Sequence, residues 1–95
     1  MGYKVVWSSK AIDDVDAIAS YIARDSVSYA AAVVHRIINV TKNLIQHPLE
    51  GEVVEEFGDN GYRQGYAYSY RVLYKVRGDL VIVAAVIHGK RLLDL

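Results

Sequence analysis

Residues 70–88 read YRVLYKVRGDLVIVAAVIH. Tyr70, Val72, Tyr74 and Val76 alternate with Arg71, Leu73, Lys75 and Arg77, the period of two that marks a strand with distinct faces. Gly78-Asp79 follows, a pair suited to a two-residue hairpin because glycine takes positive φ without steric cost. Beyond it Leu80 to Ile87 is apolar on both faces, which predicts a central strand. A two-residue turn fixes the register. Arg77 faces Leu80, and counting back puts Arg71 opposite Val86 and Ser69 opposite His88. Opposed residues share a face, so Arg71 and His88 are expected as diagonal neighbours on one side of the sheet. Tyr70, Val72 and Tyr74 then point to the other.

Toward the N-terminus, Tyr3 to Trp7 is rich in β-branched and aromatic residues and reads as a first strand. Ser8 or Ser9 is placed to cap a helix, and Ile12, Val15, Ile18, Ala19 and Ile22 recur at its three- and four-residue spacing. Asp13, Asp14 and Asp16 lie near its positive N-terminal end. The pattern breaks at Asp25-Ser26, where Ser26 can cap a second helix. There Ala30, Val34, Ile37, Ile38, Thr41, Leu44 and Ile45 form an apolar stripe until Pro48 stops it. So short a connection predicts an antiparallel helical hairpin. After Gly51 the reading is a strand over Glu52–Phe57, a turn at Gly58-Asp59-Asn60-Gly61, and a return strand over Tyr62–Tyr66. The order predicts a single α+β domain over residues 1–95, with an N-terminal strand and a helical hairpin packed on one face of a mainly antiparallel, twisted sheet.

Composition bounds the function. The 95 residues are 53% hydrophobic, which fills a core without staples, and there is no cysteine for disulfides, thiolate metal ligands or a thiol nucleophile. Eleven basic residues balance eleven acidic ones, so binding of nucleic acid by bulk charge is disfavoured. No apolar run is long enough for a signal peptide or a membrane span, and a cytoplasmic domain without membrane attachment is expected. His35 and His47 are too far apart on one helix to chelate together, so neither metal nor cofactor is expected. The Asn39-Val40-Thr41 sequon sits inside a helix and carries no meaning there.

The anticipated register gathers cations. Arg71 and His88 form one patch, Arg63 on the neighbouring strand can join them, and Lys90 and Arg91 follow at the strand end. Five positive groups on one rim of a neutral protein make a site for an anionic partner. Each also has a plainer reading: a solvated or carboxylate-paired arginine, and a histidine that hydrogen-bonds the end of its strand. Tyr62, Tyr66, Tyr68 and Tyr70 can stack on bases or pack on the sheet with wet hydroxyls.

Several segments, taken in order, resemble the RelE/ParE toxin superfamily. They are Trp7-Ser8-Ser9-Lys10-Ala11 with Asp14, Ile18 and Tyr21-Ile22-Ala23; Leu44, Pro48 and Gly51; Arg63; Tyr70-Arg71-Val72-Leu73-Tyr74; and Val86-Ile87-His88-Gly89-Lys90-Arg91. The resemblance implies the toxin of a type II toxin–antitoxin module, of the kind used in plasmid stabilisation, with a cognate antitoxin as partner. It leaves room for a homodimer. RelE-like members cut messenger RNA on the ribosome. For that activity the resemblance implies Arg63 and Arg71 at the phosphate and His88 as proton donor, with chemistry that activates a ribose hydroxyl and stabilises the phosphate charge. ParE-like members inhibit DNA gyrase without a nuclease site, and Tyr70, Lys90 and Arg91 are then the target-binding candidates. Gly89 stands where some RelE-like members carry an aromatic, and Glu50 and Glu52 stand where they carry lysines. The long helical hairpin, the Trp7-Ser8 opening and the low charge look more like the ParE branch. On that branch the protein is not an enzyme. A third reading is a remnant that binds antitoxin without toxicity.

Overall fold

The computed structural model describes residues 2–55 and 61–89. The elements are β1 (Lys4–Trp7), α1 (Ser9–Ala23), α2 (Val27–Gln46), β2 (Glu52–Val53), β3 (Tyr62–Ala67), β4 (Tyr70–Arg77) and β5 (Leu80–His88). They form one five-stranded sheet in the order β1-β5-β4-β3-β2, antiparallel except where β1 runs parallel to β5. The helical hairpin packs on one face, as the periodicities predict. Ser8 caps α1 by accepting a hydrogen bond from the Ala11 N–H (3.0 Å), and Ser26 caps α2 through the Tyr29 N–H (3.1 Å).

The helix faces keep much of the anticipated stripes, with Ile22, Ala30, Ile37, Thr41 and Leu44 buried, and depart from them at a few positions. On α1 the fully buried residue is Ala11 while Ile12 is 56% exposed; on α2 Val33 is buried and Ile38 is exposed. Small residues reach the interface because the helices sit close to the sheet. Gly65 of β3 shows the same closeness, since a Cβ there would stand 3.0 Å from Val40 Cγ1. Buried Thr41 satisfies its hydroxyl by donating to the Ile38 carbonyl (2.7 Å). The core on the helix side joins Ala11, Ile22, Ala30, Val33 and Ile37 to Val72, Val83 and Val86. The opposite face carries a smaller cluster of Val54, Leu73, Ala85 and Ile87.

Of the strand predicted over Glu52–Phe57, the described residues in ladder register are Glu52 and Val53. Val54 still donates its N–H to the Tyr62 carbonyl (2.9 Å) while its side chain packs over the second face; Glu56, Phe57 and the Gly58–Asn60 part of the anticipated turn lie outside the described residues. The Gly78-Asp79 turn is as expected, with Gly78 at φ +60° and Arg77 opposite Leu80.

The expected register fails four residues further on. Tyr74 pairs with Val83 but Leu73 pairs with Ala85, leaving Ala84 as an extra residue in β5. This β-bulge shifts every later partner by one, so Arg71 faces Ile87 and Tyr70 faces His88. The start of α1 secures the bulge. The Ser8 hydroxyl donates to the Ala84 carbonyl (2.9 Å), and the Asp14 carboxylate accepts from the Val86 N–H (2.9 Å). Asp14 also pairs with Lys10 at 3.0 Å. The Asp14→Ala variant is expected to lose about 1–3 kcal/mol, the range for stranding a partly buried backbone donor. In a domain this size each kcal/mol lowers Tm by roughly 4–8 °C, so thermal melts followed by circular dichroism will register the loss.

Candidate functional site

The bulge decides what the site can be. Odd-numbered residues of β4 from Arg71 to Arg77 lie on the face away from the helices, whereas Tyr70, Val72 and Tyr74 lie on the helix face, as the alternation predicts. Beyond the bulge His88 shares the face of its partner Tyr70, and the two rings meet edge-on with centroids 5.6 Å apart. Arg71 and His88 therefore project to opposite sides of the sheet. The anticipated shared patch does not form.

Arg71 is 5% exposed. Its Nε–H donates to the Gln64 Oε1 at 2.6 Å, and the Gln64 amide donates onward to the Tyr66 hydroxyl at 3.4 Å. Gln64 and Tyr66 reach Arg71 because β3 pairs antiparallel with β4, placing Tyr66 directly opposite Arg71. Sequence reasoning missed Gln64 as the guanidinium's partner, since the β3 register was left open. The intervening turn is Tyr68-Ser69, with Tyr68 at φ +55°. Without glycine it carries no hairpin signal.

Arg63 does not join Arg71 either. It pairs with Tyr74 on the helix face, and its Nη1 donates to the carbonyls of Leu49 (3.1 Å) and Gly51 (2.8 Å). The fully buried Tyr74 accepts from the Gly51 N–H at 2.9 Å. Burial raises the Tyr74 pKa; the Gly51 bond and the Arg63 charge oppose that rise, and Glu50 adds to it. Arg63 and Tyr74 thus fasten the link between α2 and β2. Gly51 is needed there, since a Cβ would collide with the Tyr74 hydroxyl and stand 2.7 Å from the Gln64 carbonyl. Arg63 and His88 share a face, but their β4 partners Tyr74 and Tyr70 are four residues apart, about 13 Å of strand. Lys90 and Arg91 lie outside the described residues, so the five anticipated cations are not seen to converge.

Phosphoryl transfer to a ribose hydroxyl needs its base, acid and charge-stabilising groups within about 3 Å of the reacting atoms. Arg63, Arg71 and His88 occupy two faces and two ends of the sheet. Among the described residues no three His, Asp or Glu side chains gather to hold a metal ion, and no helix is long and apolar enough to cross a membrane.

A cleft of about 300 Å3 opens between α2 and the β2–β3 edge, lined among others by Arg36, Asn39, Asn43, His47, Gly65 and Tyr66. β2 pairs only with Arg63 and Gln64, so β3 continues past it toward Ala67 along this cleft. Backbone groups on one side of a strand recur at every second residue. Tyr62 uses its carbonyl on the Val54 N–H (2.9 Å), so Tyr66 offers its backbone N–H and C=O to the same open edge.

Arg71→Ala is expected to cost about 1–3 kcal/mol by leaving the Gln64 carbonyl oxygen without its buried donor. His88→Ala, at an exposed position, gives up the edge-on contact with the Tyr70 ring and should cost less, about 0.5–1.5 kcal/mol. Urea titrations of both variants check the contrast.

The family model described as the ParE toxin of the type II toxin–antitoxin system parDE matches residues 5–93. No curated protein matches the sequence. Among solved structures, the chromosomal ParDE system of P. aeruginosa is similar at a TM-score of 0.77 and 20% identity, covering 93% of this chain and 97% of that one. A YoeB/ParE toxin from Agrobacterium tumefaciens gives 0.66 and 24%, covering 90% and 96%. The RelBE2 toxin–antitoxin complex from Mycobacterium tuberculosis gives 0.60 and 22%, covering 93% and 99%. At these identities the structural likeness is one of fold, a helical hairpin on a five-stranded sheet.

Proposed function

Since the chain belongs to the ParE toxin family and is a ParE-type toxin of a type II toxin–antitoxin system, we propose that its target is DNA gyrase and that it acts by binding. The dispersal of Arg63, Arg71 and His88 carries this reading. A nuclease needs such groups around one phosphate, and here Arg71 is buried on one face while Arg63 holds backbone carbonyls on the other. Zero net charge agrees with a protein target better than with docking on ribosomal RNA. Tyr70, Lys90 and Arg91 remain the target-binding candidates, and the protein is proposed to work in the cytoplasm, where gyrase is.

The test pairs two assays on one preparation. Purified protein should inhibit supercoiling by gyrase at micromolar or lower concentration and leave ribosome-bound messenger RNA uncut. Cleavage of that RNA at codon positions, with supercoiling untouched, would replace this reading with the RelE-like one. Neither effect would indicate a non-toxic remnant.

The partner that restrains the toxin is an antitoxin, as the two solved toxin–antitoxin systems of similar fold support. We place its docking segment in the cleft beside α2. An extended segment can hydrogen-bond the open β3 edge at Tyr66 and lay side chains against Asn39 and Asn43, and the exposed Leu49 and Val53 flank the same edge. Asn43→Trp, at an exposed helical position, should fill the cleft and weaken antitoxin binding at least tenfold with Tm unchanged. Isothermal titration with the cognate antitoxin measures it.

A further inference from the structure

The sheet face away from the helices is closed at one end and open at the other. Leu73, Ala85 and Ile87 are buried there together with Val54. Toward the β4–β5 turn the same face is open, and two rows of side chains cross the strands. Lys4, Leu80 and Arg77 make the first row, because Leu80 pairs with Lys4 of β1 and Arg77 of β4. Val6, Ile82, Lys75 and Tyr62 make the second by the same pairings. Opposed residues share a face, and Val5, Val76 and Val81 between them turn to the helix side against Leu44 and Tyr74. Lys4 and Arg77 are exposed, Lys75, Leu80 and Ile82 are half-buried, and Val6 is 41% exposed.

Three cations thus surround an apolar strip, and no carboxylate answers them. The one ion pair among the described residues joins Lys10 to Asp14. Asp79 in the adjoining turn and Glu52 at the far edge of the face form none with Lys4, Lys75 or Arg77. Lys75 instead lies over the Tyr62 ring, 5.3 Å from its centroid. The exposed carboxylates of Asp13, Asp16 and Asp25 stand on the helical hairpin, in the other layer, so a chain of zero net charge carries a positive rim on its sheet.

The two kinds of side chain select the occupant. The cations call for negative charge. Val6, Leu80 and Ile82 call for apolar side chains to cover them, which a phosphate backbone does not bring. The ring at the rim, Tyr62, is engaged by Lys75, where a nucleic acid would need open aromatic faces for its bases. An acidic, amphipathic polypeptide segment supplies both charge and apolar cover. Position separates it from the target contact. Leu80 and His88 are the two ends of β5, roughly 25 Å apart, and the target-binding candidate Tyr70 pairs with His88. The antitoxin cleft is nearer, since Tyr62 stands on β3 four residues from Tyr66, about 13 Å of strand.

We propose that this rim receives an acidic, amphipathic segment of the antitoxin, its carboxylates on Lys4, Lys75 and Arg77 and its apolar side chains over Leu80 and Ile82. The proposal rests on the antitoxin reading and adds to it a second contact surface and the chemistry of the segment received. The experiment measures binding of purified cognate antitoxin to wild type, Lys4→Glu, Arg77→Glu and the double variant at low and high salt, with Tm and gyrase supercoiling measured alongside. Each single reversal should weaken binding about fivefold or more at low salt, and the double variant should lose most of the wild-type salt dependence, because exposed charge pairs are the ones salt screens. Tm should hold within about 4 °C, as exposed side chains without partners in the fold predict. A photo-crosslinker carried on Asp79→Cys, which leaves all three cations in place, should join a stretch of antitoxin with Asp or Glu spaced among apolar residues. A basic or uncharged stretch overturns the proposal. So do reversals that bind antitoxin with wild-type affinity and salt dependence; if Asn43→Trp still weakens that binding, the cleft and the antitoxin reading stand. A wild-type protein that binds no antitoxin overturns both. Reversals that spare antitoxin binding and abolish the effect on supercoiling assign the rim to the target and overturn the proposal. Tight binding of single-stranded DNA, or self-association, that wild type shows and the double variant loses gives the rim to nucleic acid or to a second copy, with the same result.

Discussion

Two hydrogen bonds from the first turns of α1 hold a single extra residue in β5, and the functional geometry follows from them. Ser8 donates to the Ala84 carbonyl and Asp14 accepts from the Val86 N–H. A bulge leaves backbone groups outside the ladder, and such groups buried without partners are costly. Here the helix start supplies the partners. Ser8 does this while its oxygen also caps α1, so the helix terminus and the bulge are stabilised by one side chain. Val83 and Val86, three residues apart, can then both face the helices, and Ala85 and Ile87 both reach the second cluster.

A sheet without the bulge would have set Arg71 beside His88. The guanidinium lies on the side away from the helices in either register, buried against Gln64; the bulge turns the imidazole to the other side, toward Tyr70. The difference of one residue separates a cationic patch from a buried structural arginine and an aromatic end. This is why the family resemblance, which covers both nuclease and gyrase-directed members, needs the register before a reading can be chosen.

The fold was largely legible because it rests on signals that local physics imposes. The period-2 alternation of β4, the glycine of the Gly78-Asp79 turn, the serine caps and the Pro48 stop each name their element. What could not be read lies where a residue's role comes from a distant partner. Ala84-Ala85 looks like ordinary strand, and its bulge is visible only beside Ser8 and Asp14. Tyr68-Ser69 has no turn signature, so the β3 register, and with it the partners of Arg63 and Arg71, stayed open. The helix stripes were right in period and mostly in phase, with Ile22, Ala30, Ile37, Thr41 and Leu44 buried as anticipated, but Ala11 and Val33 are buried where Ile12 and Ile38 seemed the natural choices. Close packing favours small side chains that hydrophobicity alone undervalues.

The parallel pairing of β1 with β5 has a bearing on how the chain is made. Lys4 pairs with Leu80, and the Ser8–Ala84 bond spans 76 residues. At ribosomal speeds of about 5–20 residues per second, roughly 4–15 s separate the synthesis of the two strands. Through that interval the helical hairpin can form, but the N-terminal strand has no neighbour and the sheet no centre. A nascent toxin is therefore without its finished shape until β5 has been translated, so an antitoxin already present meets each copy as it matures.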